Sequence, residues 1–250
     1  MMIDAHAHIG PREAGSEYRH MSSELYPPES LLESMNKNGI DIAVVFAMRS
    51  AGTYDEHNRY ILESAKKYSD RLVPFVRINP WKEQPERLRE AFDSGFRGLK
   101  LHPNDESFYP NDSLVFPFLE VCEKTKKPVI IHSHQQGTQP CLIGDLADHF
   151  PSVPIIIAHM GTDLYQDSMF VAKKCPNVYL ETAQCPFTHR IAKNLVEVLG
   201  EGKIVWGSDI PYHFHEIEKQ KMELAGLTER EFEAITWHNI ARIVGIPDGH

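Results

Sequence analysis

The stretch Val129-Ile130-Ile131-His132-Ser133-His134 sets an apolar, β-branched run directly against a histidine, and Ile155-Ile156-Ile157-Ala158-His159-Met160-Gly161 repeats the arrangement. Short apolar runs of β-branched residues mark strands buried on both faces. Working outward from these two, comparable runs lie at Met2–Ala5, Ile40–Ala47, Leu72–Ile78, Phe96–Leu101, Val178–Glu181 and Lys203–Trp206, with the central pair reading as Val129–Ile131 and Val153–Ala158. Between them the apolar spacing turns helical, as in Pro28–Asn38, Asp55–Tyr68, Gln84–Ser94, Ser113–Lys126 and Phe187–Leu199. Strands that alternate with helices predict a parallel sheet built from βα repeats.

Eight repeats in 250 residues predict a closed α/β barrel, the (β/α)8 or TIM barrel, as a single domain over residues 1–250. An open doubly wound sheet shares the alternation, but no G-x-G-x-x-G or G-x-x-x-x-G-K-[ST] follows any strand. A further helical segment, Glu229–Val244, is expected to cover the outside or one end of the barrel. The longest irregular stretch, Ile9–Pro27, carries Arg12, Tyr18, Arg19 and His20 and follows the first strand, where barrel loops overhang the active site.

Asp and Glu total 35 against 26 Lys and Arg, a formal charge of −9, and no basic run interrupts that balance. Nucleic acid and anionic membrane surfaces are therefore poor partners. The opening Met1-Met2-Ile3-Asp4 has neither the basic nor the apolar region of an export signal, and Cys122, Cys141, Cys175 and Cys185 form no C-x-x-C pair. The expectation is a cytoplasmic protein with reduced thiols and no membrane span, acting on a small molecule; a homo-oligomer is compatible with it.

The 14 histidines are the compositional departure. His6 and His8, in Asp4-Ala5-His6-Ala7-His8, stand two apart on a strand and so face the same side, a ready bidentate metal site. Taken alone, the pair reads more readily as two satisfied polar residues at a strand end. Its weight comes from repetition: His132 ends the fifth strand, His159 the sixth, and Ile204-Val205-Trp206-Gly207-Ser208-Asp209 places a carboxylate at the corresponding end of the eighth. Catalytic groups of (β/α)8 enzymes lie at that carboxyl end.

This combination resembles the amidohydrolase superfamily. Within it, Gly98-Leu99-Lys100-Leu101-His102-Pro103, Ala158-His159-Met160-Gly161 and Gly207-Ser208-Asp209-Ile210-Pro211 resemble the amidohydrolase-related (amidohydrolase 2) branch, which includes hydrolases, lactonases and metal-dependent nonoxidative decarboxylases. The resemblance implies a mononuclear divalent site with His6, His8, His132 and Asp209 as ligands. Imidazole and carboxylate donors with an open position suit Zn2+. It further implies that Asp209 exchanges the proton of a metal-activated water, and that His159 polarises the scissile carbonyl or orients that water.

Lys100 has two readings, a substrate-binding cation or a carboxylated lysine bridging a second metal. His102 serves either the site or a structural contact ahead of Pro103. Arg49 and Arg77, after the second and third strands, could join Lys100 in lining the mouth for an anionic substrate, or form ion pairs. His134 lines the site or packs, and Glu181 supports a metal ligand or belongs to a polar network. His57, His149, His189, His238 and His250 read as surface or packing residues. His213 and His215 read as a loop, because no apolar run precedes them, with substrate contact open to His213. The expected activity is metal-dependent hydrolysis of an amide, lactone or ester-like bond in a small anionic molecule. Nonoxidative decarboxylation of an aromatic or unsaturated acid is the alternative, and a noncatalytic binding barrel the third reading.

Overall fold

The computed structural model describes residues 1–11, 25–50, 52–134, 136–184 and 190–247. Its strands are β1 (Ile3–Pro11), β2 (Leu25–Tyr26), β3 (Ile42–Ala47), β4 (Leu72–Arg77), β5 (Gly98–Leu101), β6 (Val129–Ile131), β7 (Ile155–Ile157), β8 (Val178–Glu181) and β9 (Ile204–Val205). The helices are α1 (Pro28–Asn38), α2 (Asp55–Lys67), α3 (Pro85–Ser94), α4 (Pro103–Glu106), α5 (Phe116–Thr125), α6 (Pro140–His149), α7 (Tyr165–Lys174), α8 (Ile191–Leu199), α9 (His215–Glu223), α10 (Glu229–Glu233) and α11 (Asn239–Val244). Proline near the first helical position starts α1, α3, α4, α5 and α6, where its missing N–H costs nothing.

The sheet runs β2-β1-β3-β4-β5-β6-β7-β8-β9. Every neighbouring pair is parallel except β1 with β2. It closes on itself: Ala5 N donates to Trp206 O at 3.0 Å, Asp209 N to His6 O at 2.7 Å and His8 N to Ile210 O at 2.8 Å. The fold is thus the (β/α)8 barrel expected from the sequence.

Three local readings change. β1 extends through His6 and His8 to Pro11, so the histidine pair lies within a strand instead of at its end. The stretch expected to be irregular begins and ends in strand, since Gly10 and Pro11 pair with Tyr26 and Leu25; Arg12, Tyr18, Arg19 and His20 lie outside the described residues. So do Cys185, Phe187, His189 and His250. His215 is the first residue of α9 and fully buried, a correction to its assignment to a loop.

Strict alternation along β1 would put Asp4, His6 and His8 on one face. The pairing with β3 instead skips: Asp4 stands opposite Ala43 and Ala7 opposite Val45, so Ala5 and His6 share the space facing Val44. This bulge turns Asp4 to the outside while His6 and His8 point inward.

Inside the barrel, Ile3, Val44, Phe46, Phe75, Ile130, Ile156 and Val205 form one apolar cluster, and Trp237, Ile240, Ala241 and Val244 join it. The C-terminal helical segment, with a wider π turn over Ala234–His238 between α10 and α11, therefore plugs one end of the barrel. A second, larger cluster includes Leu99, Leu101, Val129, Ile131, Ile155 and Ile157 from the opposite strand faces, together with helix residues such as Leu88, Leu119, Leu146 and Leu195. Among the described residues, no helix is long and apolar enough to cross a membrane.

Gly98 is required by close approach. The ring of Phe75 fills the interior space where a side chain at 98 would stand, and an added Cβ would meet its Cε1 at 2.7 Å. Gly98→Ala is expected to destabilise the fold by about 1–3 kcal/mol through overpacking. Urea denaturation of the variant beside the wild type measures this, and an unchanged midpoint would contradict the packing described.

Candidate metal centre

His6, His8 and Asp209 reach one point inside the barrel mouth. Nε2 of His6 lies 3.0 Å and Nε2 of His8 3.1 Å from the same oxygen, Asp209 Oδ1. The other nitrogen of each ring is already committed. His6 Nδ1 donates to Glu181 Oε2 at 2.9 Å, and His8 Nδ1 donates to the Ala47 carbonyl at 3.2 Å, because a carboxylate and a carbonyl can only accept. In their neutral forms both imidazoles therefore turn a lone pair toward a carboxylate oxygen. Three buried acceptors converging on one point repel one another unless positive charge stands among them. That donor set fits a divalent cation of the Zn2+ or Mn2+ kind.

Without an ion, the electrostatics put the positive charge on His6 itself, whose Nε2 then holds a proton toward Asp209. Burial pushes Asp209 toward its neutral form, but His6 and His8 outweigh it and hold the carboxyl well below the usual range, so it is an anion. Burial lowers His8 to about 4, leaving it neutral. For His6, burial and Lys100 act downward, yet Asp209 and Glu181 prevail and raise it. Glu181 is itself anionic, since its imidazole neighbours and backbone donors overcome its burial.

Glu181 also accepts from the backbone N–H of His159 at 3.0 Å. His159, His6 and Glu181 place donor atoms within 4.8 Å of one another, as do His6, His8 and Asp209. The segment after β7 makes this contact through an unusual backbone: His159, Met160, Gly161 and Thr162 all have positive φ, 58°, 49°, 70° and 47°. Such strain is characteristic of functional sites held by their surroundings. His159 Nδ1 donates to the Ala183 carbonyl at 3.2 Å, and its Nε2 accepts from His132 Nδ1 at 3.2 Å. His132 is left with its Nε2 lone pair, in the protonation state a ligand needs, and burial keeps both rings neutral. Its nitrogens lie outside both donor groups found among the described residues.

Lys100 is fully buried, with Nζ 3.4 Å from His6 Nε2 and 4.5 Å from the centre of the Phe46 ring. Burial lowers its amine to about 7. His102 stacks on His132 with ring centres 3.8 Å apart, and its Nδ1 accepts from Asp105 N at 3.2 Å, capping α4. The structural contact ahead of Pro103 is therefore present, and the ring also lies against His132. His134 stands further out, its ring 6.0 Å from that of His132. Arg49 is exposed at the rim, 3.9 Å from Asp105. Arg77 differs from a cation lining the mouth: it is buried, and its Nη2 donates to Asp105 at 2.5 Å and Glu106 at 2.8 Å. The ion pair is internal because the short helix α4 lays both carboxylates over the end of β4.

Sequence reasoning passed over Gln184, whose side-chain amide donates to Asp209 Oδ2. Its place three residues past the end of β8 was the available signal. It also passed over Asp4 as an anchor, since the bulge that turns it outward leaves no mark in the pattern.

The chain matches the amidohydrolase family over residues 3–246 and belongs to it. A search of curated proteins returned no match. Among solved structures, the chain resembles 5-carboxyvanillate decarboxylase from Sphingomonas paucimobilis, with a TM-score of 0.80, 15% identity and coverage of 98% of this chain and 99% of that one. It resembles a probable 2-pyrone-4,6-dicarboxylic acid hydrolase from Acinetobacter baumannii, with a TM-score of 0.78, 17% identity and coverage of 98% and 99%. It also resembles 5-carboxyvanillate decarboxylase from Novosphingobium aromaticivorans complexed with manganese and 4-hydroxy-3-methoxy-5-nitrobenzoic acid, with a TM-score of 0.78, 15% identity and coverage of 98% and 96%. At these identities the likeness is one of fold.

The Glu181 contact makes a measurable claim. Glu181→Gln removes the charge that fixes the His6 tautomer, and losses from such supporting groups are about 10- to 100-fold in metal affinity. Competition with a chromophoric chelator should show a fall of that size, and wild-type affinity in the folded variant would reject the role.

Proposed function

We propose that the protein is a metal-dependent hydrolase that cleaves an amide, lactone or ester-like bond of a small carboxylate-bearing substrate. The observation that carries this reading is the convergence of His6 Nε2, His8 Nε2 and Asp209 Oδ1 as three mutually facing acceptors. His6, His8 and Asp209 would hold the cation, with His132 as the fourth residue of the set. A divalent ion bound there supplies Lewis acidity and lowers the pKa of water toward about 7. Zn2+ is assigned from the nitrogen and oxygen donors; the manganese in one similar decarboxylase makes Mn2+ the other ion to measure.

Asp209 is the proton carrier in this reading. Oδ1 faces the imidazoles, while Oδ2 is held by Gln184 and can take the proton from the attacking water and return it to the leaving group. Lys100, buried beside His6, pairs with the substrate carboxylate, and Arg49 at the rim attracts it. His102 and His134 border the same space. His159 acts on His132 through its Nε2 contact, which favours an orienting role over direct polarisation of the carbonyl.

Decarboxylation is the second reading, favoured by the two similar decarboxylases above, which the chain covers almost end to end. Mass analysis of products from carboxylic acids and their lactones, incubated with metal-replete protein, separates the two. Gain of water is the expected outcome, and loss of carbon dioxide without it would assign the lyase.

Asp209→Asn keeps the shape of the side chain but removes its charge and its capacity to accept a proton. Turnover should fall by about 100- to 10,000-fold, more than substrate binding weakens. Metal content is measured in the same sample, and a metal-replete variant with near-normal turnover would exclude proton transfer through Asp209.

A further inference from the structure

Asp4 is fully buried on the outer face of β1, turned away from the metal centre by the bulge, yet its carboxylate accepts from four donors. Oδ1 accepts from His6 N at 2.9 Å and from Ser208 N at 2.9 Å. Oδ2 accepts from Ser208 Oγ at 2.5 Å and from His215 Nε2 at 3.0 Å. Two of these donors are backbone groups of His6 itself and of the residue preceding Asp209. A single carboxylate therefore bridges the strand carrying His6 and the segment after β9 that carries Asp209, at the seam where the barrel closes.

His215 completes the anchor from outside the sheet. It is fully buried at the start of α9, and its Nδ1 lies 2.8 Å from Ser34 Oγ on α1. With Nε2–H donating to Asp4, Nδ1 is the acceptor and Ser34 the donor, so the ring orientation is set from both sides. Ser208 Oγ, while donating to Asp4, accepts from Ile210 N at 3.1 Å, which encloses Asp209 between two fixed residues. Asp209 needs that enclosure, because its φ of 61° is left-handed, and such conformations persist where the surroundings over-determine them.

We infer that His215 is a positioning residue for the metal centre: through Asp4 it fixes the spacing between His6 and Asp209 without touching the ion. Burial alone would give His215 a packing role, which a leucine of similar volume could fill. The hydrogen bond to Asp4 is the part that leucine lacks and that the side-chain amide of glutamine can supply. The inference rests on the metal-dependent reading above.

The test is the affinity of the purified full-length protein for Zn2+ and, separately, Mn2+, by chelator competition, for wild type, His215→Leu and His215→Gln. His215→Leu should lose about 10- to 100-fold in affinity, the range for groups that orient ligands, and His215→Gln should recover most of the loss. Equal losses in both variants would make the role packing alone and overturn the inference, as would wild-type affinity in His215→Leu. If His215→Leu fails to fold by circular dichroism, Ser34→Ala takes its place; it should show a smaller loss of the same sign, and unchanged affinity there overturns the inference. A wild type that binds neither ion removes the metal-dependent reading and this inference with it, whereas tight wild-type binding with unaffected variants removes only the latter.

Discussion

The seam between β1 and β9 is the constraint on which the site depends. Asp4 and Ser208 are 204 positions apart in the chain, and only closure of the sheet brings them together. The hydrogen bonds that close it run from Ala5 N to Trp206 O, Asp209 N to His6 O and His8 N to Ile210 O, and the last two are made by the residues that converge at the candidate metal centre. Barrel closure and assembly of the donor set are therefore one event. A sheet left open at this edge would separate His6 and His8 from Asp209 whatever the other strands did, and it would expose an unpaired edge as well.

Burying so many ionisable groups at one end of a barrel is costly unless each is matched. The matching here is layered. Glu181 meets His6 and the backbone of His159, Asp4 meets His215 and three further donors, and Asp105 and Glu106 meet Arg77. Lys100 is matched differently, by the Phe46 ring and a nearby imidazole, and burial lowers its amine to about 7. It is the buried cation of the group whose charge depends most on what else enters the site. A carboxylate arriving beside it would favour its protonated form, as the proposed pairing with an anionic substrate requires.

The strand-by-strand pattern was legible because fully buried parallel strands leave unbroken apolar runs, and His132, His159 and Asp209 stand where those runs stop. His6 and His8 were legible as a pair because residues two apart on a strand face the same side. What escaped is what alternation alone does not encode. The bulge between Asp4 and Ala7 reverses the side on which Asp4 falls, and no residue type in Asp4-Ala5-His6-Ala7-His8 announces it. The left-handed run after β7 includes only one glycine, Gly161, so His159, Met160 and Thr162 gave no sign of it. His215 read as a loop residue because no apolar run precedes it, and its partners, Asp4 and Ser34, come from β1 and α1, a distant pairing that has no local signature. Arg77 was placed correctly near the end of its strand, but its partners lie on a short helix after the next strand.

Arg77 shows how the segments at the barrel mouth are held together. Its guanidinium reaches the Ala47 carbonyl on β3 at 3.3 Å as well as Asp105 and Glu106 after β5, and Tyr54 donates to the same Glu106 oxygen at 2.5 Å. Segments following three successive strands are thereby tied into one unit beside Lys100 and His102. His6 and His8 lie on β1, the immediate neighbour of β3, and they meet this side of the mouth at two points: His8 shares the Ala47 carbonyl with Arg77, and His6 Nε2 lies 3.4 Å from Lys100 Nζ. With the stacking of His102 on His132, these contacts join the candidate metal ligands to the cations beside them, so a change at Arg77 or Lys100 would be felt at His6 and His8.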